Sequence, residues 1–120
     1  MAIHVWEHFF LWQCDDVIAE WRRLLKPSGL LVLELPDFWK CCRNVVECVK
    51  GKHPDQLSMW GCYGDPTGHD EFMAHRWGWT PQTLGDFLKV NGFVSIAEKP
   101  TQFHRAGKDL RDMRIEAVKA

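Results

Sequence analysis

The sequence lacks a large net charge of either sign, and it has no apolar run long enough to cross a membrane. Its 15 Lys and Arg residues nearly balance 16 Asp and Glu residues, which gives a formal net charge of −1 at pH 7. Non-specific nucleic-acid binding relies on a basic surface that neutralises phosphates, so this balance argues against it. Because no signal-like segment opens the chain either, we expect a cytoplasmic protein without a membrane contact.

The sequence also lacks a paired cysteine motif. Its five cysteines are an odd number, two of them are adjacent, and none form a C-x-x-C pair. A disulfide framework and a tetrahedral zinc site are therefore not expected. His4 and His8 are four residues apart and could share a helical face, but Glu7 is wrongly placed for a zincin-type motif. We expect no metal site, and an ion at His4 and His8 is a minor alternative.

The composition is that of one globular domain over residues 1–120. Apolar residues make up 46% of the chain, and a chain of this length can bury about two-thirds of its unfolded surface. Seven tryptophans stand against one tyrosine. Most of them are interpreted as packing residues, whereas Trp60, Trp77 and Trp79 lie in Gly-rich segments, where lining a pocket is an equal alternative.

The first half of the chain has an α/β pattern. A helix is predicted over residues 15–26, where apolar side chains recur at helical spacing: Val17, Ile18, Trp21, Leu24 and Leu25. Residues 30–35 form a nearly continuous apolar run, which is typical of a strand buried on both faces of a parallel sheet. A second helix is predicted over residues 38–50, with an apolar face made by Cys42, Val45, Val46 and Val49.

The second half begins with a segment that has no steady period, residues 51–79. A loop of this length is expected to be functional or itself partly folded. Thr80 and Pro81 are a typical helix start, and this helix should end at Asn91-Gly92. Two strands are predicted to follow and could pair as a hairpin across residues 100–109. They cover residues 93–99 and 110–118, the second with an apolar face made by Met113, Ile115 and Ala117.

Five short segments, taken in order, carry a family resemblance. They are His4-Val5-Trp6-Glu7-His8-Phe9, residues 20–31, Leu35-Pro36-Asp37, His75-Arg76-Trp77-Gly78-Trp79-Thr80 and Asn91-Gly92-Phe93. The series resembles the C-terminal half of a class I, S-adenosylmethionine-dependent methyltransferase of the type 11 kind. Its first segment is similar to the family's H-V-x-E-H, and the second to its R-x-L-K-P-G-G-x-L. The resemblance implies a partial Rossmann-like α/β fold of three to four strands, the last antiparallel, with flanking helices.

The departure from the family is the missing glycine-rich loop. Such a loop and a downstream acidic residue hold the cofactor, because glycines let the backbone approach the ligand and a carboxylate accepts from ribose hydroxyls. The run from Gly61 to Gly64 is not such a loop, since no buried strand precedes it. We therefore expect a half-domain without the first three strands and most of the fourth. S-adenosylmethionine is the implied cofactor, and this chain alone should bind it weakly.

The resemblance also implies the site residues. The catalytic set is His4, Glu7 and His8, because a histidine can take a proton from an attacking nucleophile near neutral pH. His4 and Val5 would also contact the cofactor. The alternative for this segment is that its side chains cap a helix or satisfy loop backbone.

The implied substrate-binding set is Asp37, Tyr63, His75, Arg76 and Trp77. An arginine beside aromatic rings can bind an anionic or planar substrate. The alternatives are a turn or cap role for Asp37, and a surface arginine with core tryptophans for the others.

Two kinds of function remain open. The chain is expected to be a weak or inactive methyltransferase-like half, with the glycine-rich half supplied by a partner chain or lost by gene truncation. The alternative is a non-catalytic partner-binding or homo-oligomeric module, a dimer or larger. An open edge beside residues 30–35 would template association, and this interface is expected to bury Leu31, Leu33 and residues 6–12.

Overall fold

The computed structural model describes residues 1–103 and 110–120. The described residues form four strands and four helices, with two short 3₁₀ helices. The strands are β1 (Ala2–Ile3), β2 (Leu30–Pro36), β3 (Phe93–Lys99) and β4 (Asp112–Lys119), and the helices are α1 (Leu11–Leu24), α2 (Phe38–Val46), α3 (Met59–Tyr63) and α4 (Pro81–Val90). The 3₁₀ helices are at Trp6–His8 and Glu71–Met73.

The strands form one mixed sheet in the order β1-β2-β4-β3. β1 is parallel to β2, whereas β4 is antiparallel to both β2 and β3. The chain therefore has the expected mixed α/β architecture with an antiparallel last strand. The predicted pairing of the last two strands is confirmed, and residues 104–109 of their connection lie outside the described residues.

The core lies on one face of this sheet. Alternate residues of β2 and β4 face it as cross-strand pairs, because side chains in a strand point to opposite faces in turn. The pairs are Leu31 with Ala117, Leu33 with Ile115, and Leu35 with Met113. Helices α1 and α4 cover this face with fully buried side chains, namely Cys14, Ile18, Leu84 and Leu88. The predicted apolar face of the last strand is thus confirmed.

The opposite face of β2 and β4 is polar but also buried. The Glu34 carboxylate is fully buried and accepts hydrogen bonds from the backbone N–H groups of Gln102 and Phe103, at 3.1 and 2.9 Å. Arg114 pairs with Glu34 at 3.4 Å and with Glu116 at 2.9 Å. Glu34 therefore fixes residues 102 and 103 over this face and satisfies its own charge in doing so.

Two helix predictions need correction. Helix α1 begins at Leu11 rather than at residue 15, because the Gln13 side chain accepts the backbone N–H of Phe10 at 2.9 Å and caps the earlier turn. Helix α2 ends at Val46 rather than at residue 50, and Cys48, two residues later, has a positive φ of 53°. Such a φ is not helical.

The predicted apolar face of α2 is not its buried face. Cys41 and Asn44 are buried, whereas Cys42 and Val46 are exposed. Asn44 is held inside because its amide donates to the backbone carbonyls of Leu57 and Leu110, at 2.6 and 3.0 Å. These hydrogen bonds offset the cost of burying a polar side chain, and the apolar face of α2 is thereby turned outward.

The strand edge differs from the expectation as well. β2 has β1 on one side and β4 on the other, and Leu31 and Leu33 are only 4% and 0% exposed within the chain itself. These two leucines need no partner to cover them, so the expected interface cannot be built on them. Trp6 is buried in the same core, while Trp12 is 73% exposed.

No helix in the described part of the chain is long and apolar enough to cross a membrane. The expected cytoplasmic location stays a prediction.

The centre of β2 should dominate the stability of this fold. Leu33→Ala removes a fully buried side chain from the core between the sheet and helices α1 and α4. It should lower the free energy of unfolding by about 2–5 kcal/mol. Leu30→Ala is the matched control on the same strand, because Leu30 is 51% exposed, and it should cost less than about 1 kcal/mol. Urea denaturation measures both. Equal losses would contradict the core assignment.

Candidate functional site

The candidate site lies at one edge of the sheet. The carboxyl ends of the parallel strands β1 and β2 meet there, together with the first residue of the antiparallel strand β4. His4 follows β1, Asp37 follows β2 and Asp112 begins β4. Open α/β sheets bind ligands at the carboxyl ends of their parallel strands. The topology therefore gathers polar residues from distant parts of the sequence at an edge suited to binding.

His4 is held between two buried carboxylates. Its Nδ1 lies 3.1 Å from Glu7 Oε1, and its Nε2 lies 3.3 Å from Asp112 Oδ2. Arg111 then pairs with the far side of Asp112 through two bonds of 2.6 and 3.0 Å. Since both imidazole nitrogens face carboxylates, the arrangement is satisfied when both carry protons. Two cations and two carboxylates thus balance in a buried row.

The pKa values follow from this row. Burial lowers the pKa of His4, but the hydrogen bonds and charges of Asp112 and Glu7 outweigh it and raise the pKa to about 9. Burial raises the pKa of Asp112, but His4 and Arg111 outweigh it and hold that pKa below its ordinary value. In this arrangement His4 keeps its protons at neutral pH, which does not favour the predicted proton-accepting role.

Unlike His4, whose two ring nitrogens face carboxylates, His8 and His75 each donate a hydrogen bond to a backbone carbonyl. The Nδ1 of His8 donates to the carbonyl of Ala74 at 3.1 Å, and the Nδ1 of His75 donates to the carbonyl of Gly61 at 2.9 Å. The two rings meet edge to face with centroids 4.9 Å apart. Burial lowers the pKa of His75, which favours its neutral form. Because a carbonyl only accepts, both rings have a proton on Nδ1, and the neutral form of each ring has its electron pair on Nε2.

Glu7 connects the two groups of histidines. Its Oε1 lies 4.0 Å from His8 Nε2 and 3.9 Å from His75 Nε2, in addition to its bond with His4. Its Oε2 is buried and has no hydrogen-bond partner among the described residues. Glu7, His8 and His75 are the group in the described chain whose ligand atoms come close enough together to hold a metal ion.

An open, mostly apolar cavity of about 590 Å³ adjoins this cluster. Its volume is within the range of small-molecule sites. The cavity is lined by residues of α2, of α3 and of the segment that precedes α4, among them Phe38, Val45, Val46, Met59, Tyr63, His75, Arg76 and Trp77. Four of the five predicted substrate-binding residues, Tyr63, His75, Arg76 and Trp77, are therefore brought together in one wall.

Asp37 lies apart from this wall. It is 4% exposed and caps α2, where its carboxylate accepts the backbone N–H of Trp39 at 3.0 Å. Burial raises its pKa. The cap role, which was the alternative to substrate binding, is the one that these contacts support.

Arg76 is already engaged on its other side. Its guanidinium carbon lies 4.5 Å from the centroid of the Phe10 ring, and Nη2 donates to the carbonyl of Glu71 at 3.3 Å. Its backbone N–H donates to the carbonyl of Glu7 at 2.8 Å. Val5, the other expected cofactor contact, is 39% exposed and lines a different apolar groove beside β1.

Sequence reasoning missed Arg111 and Asp112. Arg111 precedes β4 and Asp112 begins it, in a segment with alternating charged residues, a pattern that normally indicates a solvated face, but they are 8% and 0% exposed. It also missed that the apolar face of α2 lines the cavity through Cys42, Val45 and Val46. The predicted apolar face was the available signal, but the sequence does not show which surface that face contacts.

Comparison with known proteins found no match: no protein-family model, no curated protein and no solved structure is significantly similar to the chain.

The raised pKa of His4 should make stability depend on pH. A histidine with a folded-state pKa near 9 and an ordinary value of 6.5 stabilises the protein fully below pH 6.5, and this stabilisation is lost as the pH rises through 9. The shift corresponds to a loss on the order of 3 kcal/mol between pH 6 and pH 9. Chemical denaturation of the wild type across this range measures it.

His4→Gln is the control for this prediction, because glutamine does not titrate. The pH-dependent loss should be absent from the variant, although its stability at pH 6 should be lower. The comparison ends at pH 9, because burial raises the pKa of the Cys41 and Cys62 thiols and their ionisation adds to the loss above that pH. An identical pH dependence in the two proteins would show that His4 does not carry the effect.

Proposed function

We propose that these 120 residues form the acceptor-binding half of an S-adenosylmethionine-dependent methyltransferase. The observation that carries the proposal is the gathering of the His4–His8 segment and the residues 75–77 segment beside one cavity. Both segments carry part of the sequence resemblance to this family. Their side chains lie along one sheet edge, at the carboxyl ends of β1 and β2.

The sheet supports the same proposal. The resemblance implied three or four strands with an antiparallel last strand, and the chain has a four-stranded sheet in which β4 is antiparallel to both neighbours. The glycine-rich cofactor loop is not among these residues. We propose that it is supplied by another segment, whose strands would continue the sheet beyond β1.

The cavity fits the acceptor side of such a reaction. Its wall is mainly apolar, with His75 and Arg76 as its polar members. Apolar walls bind the body of a small molecule, and a few polar groups orient it. When no ion occupies the Glu7, His8 and His75 cluster, His75 is the better candidate for a proton acceptor than His4, because burial favours its neutral form while His4 keeps both protons.

The cofactor proposal is tested by calorimetric titration with S-adenosylmethionine. The 120-residue chain alone should bind it with a Kd weaker than about 1 mM, because half of the crevice is absent. Together with a segment that encodes a strand, a G-x-G-x-G loop and a downstream acidic residue, the affinity should rise to the micromolar range. The coding sequence upstream of, or neighbouring, this chain is the place to search for that segment.

The two arms of this experiment have separate meanings. Micromolar binding by the 120 residues alone would contradict the half-domain proposal. Failure of the assembled pair to bind S-adenosylmethionine or to transfer its methyl group would contradict the methyltransferase proposal itself. Trp77→Ala in the cavity wall should weaken binding of the methyl acceptor and leave the affinity for S-adenosylmethionine unchanged.

A second candidate function is self-association through the β1 edge. β1 is an outer strand of only two residues, Ala2 and Ile3, so within the described part of the chain much of β2 has no strand beside it on that side. An apolar groove of about 470 Å³ lies next to this edge, and exposed apolar side chains line it: Met1, Val5 and Leu24. An open strand edge next to apolar surface favours pairing with a second copy.

Light scattering tests this dimer at a protein concentration of about 50 µM, within the range of transient affinities. The wild type should have twice the mass of the chain. Leu24→Lys places a charge in the groove and should give a monomer. Val90→Lys is the matched control, because Val90 is also an exposed apolar residue, 87% exposed, but ends α4 away from the groove. A monomeric wild type would exclude the dimer at this concentration.

A further inference from the structure

Three potential metal-ligand atoms converge beside the cavity wall: Glu7 Oε1, His8 Nε2 and His75 Nε2. They all lie within 4.8 Å of one another. Glu7 is 2% exposed, and the side chains of His8 and His75 are 22% and 11% exposed. The cluster is therefore shielded from bulk water but reachable, as a site for a small ion has to be.

We propose that Glu7, His8 and His75 bind a divalent transition-metal ion. This inference does not depend on methyl transfer, and it replaces the expectation from sequence that the chain has no metal site. Two imidazoles and one carboxylate suit Zn²⁺ and Fe²⁺, in contrast to the all-oxygen sites that Mg²⁺ prefers.

The tautomers of the two histidines support the proposal. Each ring donates Nδ1–H to a backbone carbonyl, His8 to Ala74 at 3.1 Å and His75 to Gly61 at 2.9 Å. Metal-binding histidines characteristically use the second ring nitrogen in this way, which fixes the ring and its tautomer. In the neutral rings both Nε2 atoms are electron-pair donors, and both lie beside the same carboxylate oxygen, Glu7 Oε1.

The two distances to Glu7 are too long for hydrogen bonds and somewhat longer than those between ligands of one ion. His8 Nε2 and His75 Nε2 lie 4.0 and 3.9 Å from Glu7 Oε1. Ligands at about 2.0–2.1 Å from a tetrahedral zinc ion are separated by about 3.4 Å. An ion would therefore draw each Nε2 atom towards Glu7 Oε1 by roughly half an ångström, which side-chain rotation can provide.

Glu7 supplies a further, independent observation. Its Oε2 is buried and lacks a hydrogen-bond partner among the described residues. A buried carboxylate oxygen without a partner is costly, because it has lost its hydration without compensation. A cation coordinated by this carboxylate would offset that cost, because the negative charge is shared by its two oxygens. His4 Nδ1 donates to Oε1 at 3.1 Å, and Oε1 is also the oxygen that lies 4.0 and 3.9 Å from Nε2 of His8 and of His75.

An ion with three protein ligands retains open coordination positions. His75 belongs both to the cluster and to the cavity wall. The ion would therefore lie next to the cavity, where a small molecule or water could complete its coordination.

The first test follows the imidazole nitrogens of the wild-type chain by two-bond ¹H–¹⁵N correlation during a Zn²⁺ titration. One equivalent of Zn²⁺ should shift the Nε2 signals of His8 and His75 and leave their Nδ1 atoms protonated. His53 and His69, which lie outside the cluster, should not change, and Mg²⁺ should shift none of them. Unchanged His8 and His75 signals, or equal shifts in all six histidines, would overturn the proposal.

The second test compares Zn²⁺ affinities of variants. His8→Asn and His75→Asn keep a side-chain donor near the Nδ1 position but remove the Nε2 ligand, so each should weaken binding by at least about tenfold. Glu7→Gln should do the same. His69→Asn is the matched control and should bind as the wild type does, because His69 is exposed and outside the cluster. Equal affinities in all four variants would overturn the proposal.

Thiolates also bind zinc, and Cys42 and Cys62 are free cysteines that line the same cavity. The imidazole titration is therefore repeated on the double variant Cys42→Ser and Cys62→Ser. Persistence of the His8 and His75 shifts is expected, and their disappearance would assign the ion to the cysteines instead. Neither titration involves S-adenosylmethionine, so failure here and failure of the methyltransferase proposal are distinguishable.

Discussion

The burial of two carboxylates, Glu7 and Asp112, at one sheet edge is the constraint on which the site depends. Two buried negative charges repel each other and lose their hydration unless cations lie between and beside them. His4 occupies the position between them, and Arg111 lies on the far side of Asp112. Removing either cation would leave one buried negative charge uncompensated, so the four groups stabilise one another.

The backbone of His4 adopts an uncommon conformation at this point. Its φ is 51°, in the left-handed region that non-glycine residues rarely adopt. Strained conformations of this kind persist where surrounding contacts determine them. Here the ring is held by Glu7 and Asp112, while the backbone N–H donates to the Glu34 carbonyl at 2.7 Å. The chain turns at His4 because sheet pairing and ion pairing have to be satisfied by the same residue.

Strands and caps were largely predictable from the sequence, because each depends on local pattern. The apolar run of β2 and the Thr80-Pro81 start of α4 indicate their structures without reference to the rest of the chain. The buried face of α2 was not predictable in this way, since Asn44 is held inside by carbonyls of Leu57 and Leu110. These are long-range partners, and no pattern within a helix reports them.

The candidate site was predictable in parts but not as a whole. The resemblance selected the His4–His8 and residues 75–77 segments separately, and the fold joins them through backbone bonds such as Arg76 N–H to the Glu7 carbonyl. The metal cluster could not be predicted, because His75 is far from Glu7 and His8 in sequence and no ligand spacing relates them. Asp112 was hidden by the alternation of its strand, which looks like a solvated face until residues 102 and 103 cover part of it.

Gly61 shows how closely packing and chemistry are coupled at this edge. Its carbonyl accepts Nδ1–H of His75 and so determines which nitrogen of that ring is free. On its other side, a Cβ atom at this position would collide with the buried Sγ of Cys41. A side chain here would have to displace either α2 or the carbonyl, and displacing the carbonyl would release the His75 ring. The absence of a side chain at residue 61 therefore lets one short segment both close the core beneath α2 and orient a ligand of the proposed ion.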